Sequence, residues 1–183
     1  MRVVAGSAGG LALQVPPEDI RPTMDRVKGA IFSSLGDRVP GARVLDLFAG
    51  AGGLGIEALS RGAARVTLVD HQRQCVDIIR RNLNHCRLEA NVQCMDALRF
   101  LEHYAEPGSY DLILADPPYT KQADDRDWVA ALLRLPSLPG ILSPDGLLVI
   151  EAYSRAVPEI PPAWSQLKRK DYGETAVLYL EPT

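Results

Sequence analysis

Four consecutive residues, Asp116-Pro117-Pro118-Tyr119, carry the most specific chemical signal in the chain. An aryl amino group is a poor nucleophile because its lone pair is conjugated into the ring. The Asp116 carboxylate and the Pro117 carbonyl can accept its two hydrogens and so turn that lone pair toward an electrophile. Proline has no N–H, so the stretch presents acceptors without a competing donor at those positions. Tyr119 adds an aromatic face on which a splayed base can stack, an interaction worth about 1–3 kcal/mol. Asp116, Pro117, Pro118 and Tyr119 are therefore the catalytic candidates, for an exocyclic amine on a base that is single-stranded or flipped out.

The electrophile is indicated by a second group. Gly50-Ala51-Gly52-Gly53-Leu54-Gly55 matches GxGxxG between a strand and a helix. Alone the match is weak, because dinucleotide enzymes use the same turn for pyrophosphate. Asp46, in the strand just before the loop, suits the cationic amino end of an amino-acid-bearing cofactor and would repel a pyrophosphate. Asp70 ends the next strand, where a carboxylate can accept both hydroxyl hydrogens of a ribose. Asp96-Ala97 ends the third and is placed to accept from an adenine amino group. An amino acid joined to adenosine is S-adenosylmethionine, and Asp46, Phe48, Ala49, Gly50, Gly52, Gly55, Asp70, His71, Asp96 and Ala97 are the expected contacts. The competing explanation makes the three aspartates simple helix N-caps. His71, His85 and His103 have no metal-ligand or triad spacing, so no metal is expected.

These residues need a scaffold of alternating strands and helices. Strands are expected at 43–48, 65–69, 92–95, 110–115 and 147–152. Helices are expected at 54–61, 72–86, 97–104 and 127–135, with Cys75, Ile79, Leu83 and Cys86 on one face of the second. Leu112-Ile113-Leu114 is the continuous apolar run of a strand covered on both faces. Repeated strand–helix–strand units imply a mostly parallel sheet. Segments 167–170 and 176–180 read as an antiparallel hairpin closing it, with a loop over 171–175. At the front, 2–5 and 11–15 flank a glycine-rich turn and read as a hairpin. A helix then starts near Thr23, a candidate N-cap, with Val27, Ile31 and Leu35 inward.

Composition sets the boundaries. One domain of 183 residues with 46% hydrophobic content buries a sufficient core without staples. Three cysteines without CxxC spacing argue against a disulfide framework and against zinc. No signal-like apolar run opens the chain and none spans a membrane, so a soluble, cytoplasmic monomer is expected. The net charge of −3 and pI of 5.6 do not mark an avid nucleic-acid binder. The segment up to Arg43 is nevertheless mildly basic.

That segment contains Arg21-Pro22-Thr23-Met24-Asp25-Arg26-Val27-Lys28. With Arg2-Val3-Val4-Ala5-Gly6, Leu45-Asp46-Leu47-Phe48-Ala49-Gly50, Leu54-Gly55-Ile56-Glu57-Ala58-Leu59-Ser60-Arg61-Gly62, Asp116-Pro117-Pro118-Tyr119 and Tyr172-Gly173, the chain resembles the RsmD family nearly end to end. The resemblance implies a class I S-adenosylmethionine-dependent methyltransferase of α/β, Rossmann-like fold, acting on N2 of a guanine in 16S ribosomal RNA within the assembling small subunit. It divides the chain into a hairpin–helix extension over 1–40, expected to contact RNA, and a catalytic domain over 41–183. Arg21, Arg26, Lys28 and Lys121 are the candidate phosphate contacts, with Asp25 as an alternative ion-pair partner for Arg26. Two departures fall in the extension: Gly9-Gly10-Leu11-Ala12-Leu13 lacks the arginines of the family's RGRxL cluster, and Gly29 replaces a glutamate. A DNA amino-methyltransferase, a protein-glutamine methyltransferase and a non-catalytic assembly factor remain as alternatives.

Overall fold

The computed structural model of the chain describes residues 1–16, 24–119 and 126–183. The expected N-cap Thr23 and the candidate contacts Arg21 and Lys121 lie outside them. The chain forms two compact units, Met1–Ala97 and Leu98–Thr183.

In the first unit, α1 (Met24–Leu35) leads through a short 3-10 turn to β1 (Arg43–Leu47), α2 (Gly53–Ser60), β2 (Arg65–Asp70), α3 (Arg73–Cys86) and β3 (Asn91–Cys94). β1 pairs in parallel with β2, and β2 with β3. Leu45, Leu47, Ile56, Leu68 and Ile79 fill the space between the sheet and its helices and are fully buried. On α3, Cys75, Ile79, Leu83 and Cys86 face inward as their spacing predicts, joined by Val76, Ile78 and Asn82. The helix ends with Arg87 in the left-handed region (φ 54°), its N–H on the Asn84 carbonyl and the Leu88 N–H on that of Leu83. This is a Schellman closure built without glycine.

The expected N-terminal hairpin is reduced to one bridge, Arg2 to Ala12. Across it the Val3 N–H donates to the Leu11 carbonyl and the Leu13 N–H to that of Met1, while the Val4 and Ala5 N–H groups donate to Glu57, and those of Ser7 and Ala8 to Ser60. Helix α2 thus holds the donors that the opposite arm does not take.

The second unit holds α4 (Ala97–His103, starting at the unit boundary), β4 (Tyr110–Ala115), α5 (Trp128–Leu133), α6 (Leu138–Ile141), β5 (Leu142–Tyr153), β6 (Trp164–Tyr172) and β7 (Thr175–Pro182). β4 pairs in parallel with β5, while β5–β7 and β7–β6 are antiparallel. The strands are therefore mostly parallel with a C-terminal antiparallel hairpin, as the sequence predicts. Asp127 caps α5 through the Ala130 N–H at 2.8 Å. β5 starts earlier than expected, because Pro144 and Gly146 form a register irregularity against β4 in place of a turn. The hairpin is also longer and tighter than expected. Tyr172 pairs with Thr175, leaving a two-residue turn whose first member, Gly173, has φ 64°.

Candidate active site

At the end of β1 the chain must leave the sheet and start α2 within a few residues, and it does so through alternating left-handed residues. Phe48, Gly50 and Gly52 have φ of 58°, 55° and 83°. Glycine takes this conformation freely, whereas Phe48 holds it at a cost of about 1–3 kcal/mol. A strained non-glycine residue at the mouth of the loop marks it as a built site. A Cβ on Gly52 would come within 3.1–3.3 Å of Ile56, Leu68 and Ile79, and one on Gly55 within 2.7 Å of Leu68. The motif's second and third glycines are thus dictated by close packing of α2 on β2.

Two carboxylates shape the loop. Asp46 is buried, and its Oδ2 accepts from the Gly55 N–H at 2.7 Å in the first turn of α2. A negative charge therefore already holds one of the amides that a pyrophosphate would use, which disfavours a dinucleotide and suits a ligand with a cationic end. Asp70, also buried, accepts from Gly50 N–H and from Gln72 N–H, both at 2.8 Å. Neither aspartate is the N-cap that the competing explanation made it: the caps are Gly52 for α2 and Gln72 for α3, and the aspartates' bonds set the loop's shape. Each carboxylate oxygen retains a further lone pair, so Asp70 can still accept from two hydroxyls. Ala49 is buried, its N–H on the Val69 carbonyl. His71 is 64% exposed with Nδ1 3.8 Å from Asp70. At the end of β3, Asp96 is half-buried and Ala97 buried. Among the described residues, no three His, Cys, Asp or Glu side chains converge on a metal position.

Behind the loop lies a polar cluster that the sequence did not reveal. Glu57 is fully buried in α2 and accepts from Val4 N–H (2.7 Å), Ala5 N–H (3.1 Å) and Arg61 Nε (2.7 Å). Lys28 Nζ stands 3.6 Å from both Glu57 and Asp25 and donates to the Arg2 carbonyl at 2.6 Å. Lys28 is 4% exposed, which corrects its expected role: its ammonium is an internal tie between α1, α2 and the N-terminal segment. Burial pushes its pKa down, against the upward pull of Glu57 and Asp25. Asp25 pairs with Lys28 and accepts from the Arg2 N–H, while Arg26 is exposed. Asn82, 1% exposed, uses its whole amide: Oδ1 accepts from Gln14 N–H, and Nδ2 donates to the carbonyls of Gln14 and Ala51. One side chain thus links the N-terminal segment to the glycine loop. A carboxylate within the apolar helix Gly53–Ser60 was the available signal for Glu57.

In the second unit, Asp116-Pro117-Pro118-Tyr119 leaves the end of β4, whose Leu112, Ile113 and Leu114 are buried. The Asp116 Oδ1 atom and Pro117 are buried, Pro118 is exposed and Tyr119 half-buried. Tyr119 is clamped at two points. Its hydroxyl lies 2.7 Å from Thr175 Oγ1, and its ring stacks on Tyr153 with centroids 6.2 Å apart and planes at 28°. Tyr153 and Thr175 are direct partners across β5 and β7, so the hairpin places both. The tip is pinned in turn by Ser154 N–H on the Glu174 carbonyl at 2.8 Å. Neither Tyr153 nor Thr175 was identifiable from sequence, because only the strand register brings them to Tyr119.

Thr175→Val is expected to lower kcat about tenfold, on the scale of one lost hydrogen bond, with the cofactor affinity unchanged. Thr175→Ser should restore it. Valine is isosteric and strand-favouring, so loss of the hydroxyl contact is read without loss of fold. Steady-state kinetics of the three proteins check this, and equal kcat for the valine variant would show that the clamp is idle.

The family model described as Conserved hypothetical protein 95 matches residues 1–181. YlbH of Bacillus subtilis (strain 168) is 40% identical over 185 residues, covering 97% of this chain and 96% of that protein. Ribosomal RNA small subunit methyltransferase D of Escherichia coli (strain K12) is 32% identical, covering 96% and 87%. Among solved structures, a hypothetical protein of Thermus thermophilus superposes with a TM-score of 0.82 at 31% identity, covering 99% of each chain. Glycine loop, acidic strand ends and the Asp116–Tyr119 turn fall within this full-length match, and the chain belongs to the Conserved hypothetical protein 95 family, the RsmD family of methyltransferases.

Proposed function

We propose that the protein transfers a methyl group from S-adenosylmethionine to the N2 amino group of a guanine in 16S ribosomal RNA, within the assembling small subunit in the cytoplasm. The observation that carries this reading is the Asp116–Tyr119 turn at the end of β4, with Tyr119 held by both hydroxyl and ring. Relatives named Ribosomal RNA small subunit methyltransferase D support ribosomal RNA as the substrate class.

When bound, S-adenosylmethionine supplies a methyl group made electrophilic by its sulfonium. Asp46 and the loop of Phe48, Ala49, Gly50, Gly52 and Gly55 receive its amino-acid end, Asp70 and His71 the ribose, and Asp96 and Ala97 the adenine. Asp116 and the Pro117 carbonyl accept the two N2 hydrogens, and Asp116 takes the proton that leaves as the N–methyl bond forms and the methyl–sulfur bond breaks, with S-adenosylhomocysteine as the leaving group. Tyr119 stacks on the base, and positioning supplies most of the acceleration. Residues 1–40 serve as an RNA-contacting extension to the catalytic domain over 41–183, with Arg21, Arg26 and Lys121 on phosphates.

Purified protein with labelled cofactor is expected to methylate 16S RNA in small subunits from a strain lacking its own enzyme. Nucleoside chromatography should recover the label as N2-methylguanosine. Label appearing only in DNA or in release-factor peptide would sink the ribosomal reading.

A further inference from the structure

The sequence holds one run of three cations, Lys168-Arg169-Lys170, and it lies on β6. Strand register sorts these side chains by face. Tyr153, Thr175 and Tyr172 are mutual partners across β5, β7 and β6; two positions along, Glu151, Val177 and Lys170 align; two further, Val149, Tyr179 and Lys168. Directly opposed residues share a face, so Tyr172, Lys170 and Lys168 project on the side where Thr175 meets Tyr119. The Lys168 ammonium lies 5.5 Å from the Tyr179 ring centroid, which fixes that face independently. Arg169 points the other way, where its guanidinium binds Asp171 at 3.1 Å and the Ser154 carbonyl at 3.0 Å and so braces the hairpin tip.

The backbone positions of these two exposed or half-exposed lysines therefore stand about 7 Å apart along the strand, given a rise near 3.4 Å per residue, with the two ammonium groups close enough to interact. They lead away from the Tyr119–Tyr153–Thr175 cluster through the half-buried ring of Tyr172. Desolvation against the sheet and then the neighbouring Lys170 ammonium both lower the pKa of Lys168. Like charges held side by side on a sheet edge repel a second strand of the same kind. An anion with evenly spaced charges relieves that repulsion. Aromatic rings followed by a row of cations is the arrangement that binds single-stranded nucleic acid, with bases stacked and backbone phosphates neutralised.

We propose that the Tyr172–Lys170–Lys168 face of β6 is a track for single-stranded RNA, holding the phosphates of nucleotides that flank the base at Tyr119. Its choice of partner rests on the RNA-methyltransferase reading, and it assigns an RNA contact to the C-terminal hairpin. Two phosphate contacts on a single strand contribute about 1.4 to the slope of log affinity against log salt.

The test is fluorescence anisotropy of a labelled, short single-stranded oligoribonucleotide, titrated with the full chain across a salt series. K168Q with K170Q together should flatten the salt slope by about 1.4 and weaken binding about tenfold at low salt. Each single variant should give half that change in slope, and the paired arginine variants K168R and K170R should keep it. Cofactor affinity by calorimetry should be the same in all of them. An unchanged slope in the double variant, or one lost together with cofactor affinity, overturns the track. If the wild type methylates small subunits while the slope is unchanged, only the track falls. If the slope responds as expected but no RNA is methylated, only the methyl-transfer reading falls.

Discussion

Replacing Asp116 by alanine is expected to lower kcat by about 10²–10³-fold while leaving the affinity for S-adenosylhomocysteine within about twofold of wild type, the range found when a single reacting-atom contact is removed. The reason is the division of labour in the chain. Asp46, Asp70 and the loop they shape lie in the first unit, and the bonds that shape it run to Gly55, Gly50 and Gln72. Asp116 offers only acceptor oxygens, one of them the buried Oδ1, and an amine whose hydrogens find no acceptor keeps its lone pair in the ring. Asp116→Asn is the sharper variant, because it replaces one acceptor by a donor of the same size. It should lose as much activity as alanine or more. Calorimetry for the cofactor product and single-turnover methyl transfer separate the two effects. Full activity in the alanine variant would show that Asp116 is not the amine's acceptor.

How much of this was legible in the sequence depended on the range of the interaction. β4 was read to the residue, because Leu112 to Leu114 are buried on both faces and no local signal competes. The glycine loop and its aspartates were legible because their partners lie within about twenty residues, from Asp46 to Gly55 and from Gly50 to Asp70. The clamp on Tyr119 was not, since Thr175 is 56 positions away and only the β5–β7 register delivers it. Lys28 was misread for the same reason. Its neighbours in sequence suggest a basic surface, whereas Glu57 draws the ammonium inward. The front hairpin was overextended because alternation and glycine predict strand pairing but cannot announce that the Val4, Ala5 and Ala8 donors go to Glu57 and Ser60.

The second large effect concerns stability. Glu57→Ala is expected to destabilise the fold by about 3–5 kcal/mol, the usual consequence of stranding one member of a buried ion pair. The variant leaves the Val4 and Ala5 N–H groups and Arg61 Nε without this acceptor, and leaves Lys28 without one of its two carboxylates. At roughly 2–4 °C per kcal/mol for a chain of this size, Tm falls by roughly 6–20 °C. The pH dependence has a definite sign. Burial already sets the folded-state pKa of Lys28 below the ordinary value of 10.5, and removing Glu57 lowers it further. The unfolded state then binds more protons between those two pKa values, so stability rises with pH through that window. The Lys28 part of the deficit relative to wild type is full below the variant's folded pKa and is gone once pH passes the wild type's, which itself lies below 10.5. Thermal melts at several pH values check both parts, and a Tm within about 2 °C of wild type at neutral pH would show that the cluster is not structural.

The three side chains that grip the N-terminal segment bear on how far such proteins can be recombined. Glu57, Ser60 and Asn82 hydrogen-bond to Val4, Ala5, Ala8 and Gln14 through backbone atoms. The grip fixes the segment's path, and packing fixes some of its residues: a Cβ on Gly6 would run into the Ser60 carbonyl oxygen, and Val3, Ala8 and Leu13 are buried. A side chain at Gly9 would meet the Gly6 carbonyl oxygen at 3.1 Å, and deleting the whole segment would leave a buried carboxylate, hydroxyl and amide stripped of these partners. Indispensable in path, and fixed in letter at Gly6, the segment behaves as a socketed cartridge.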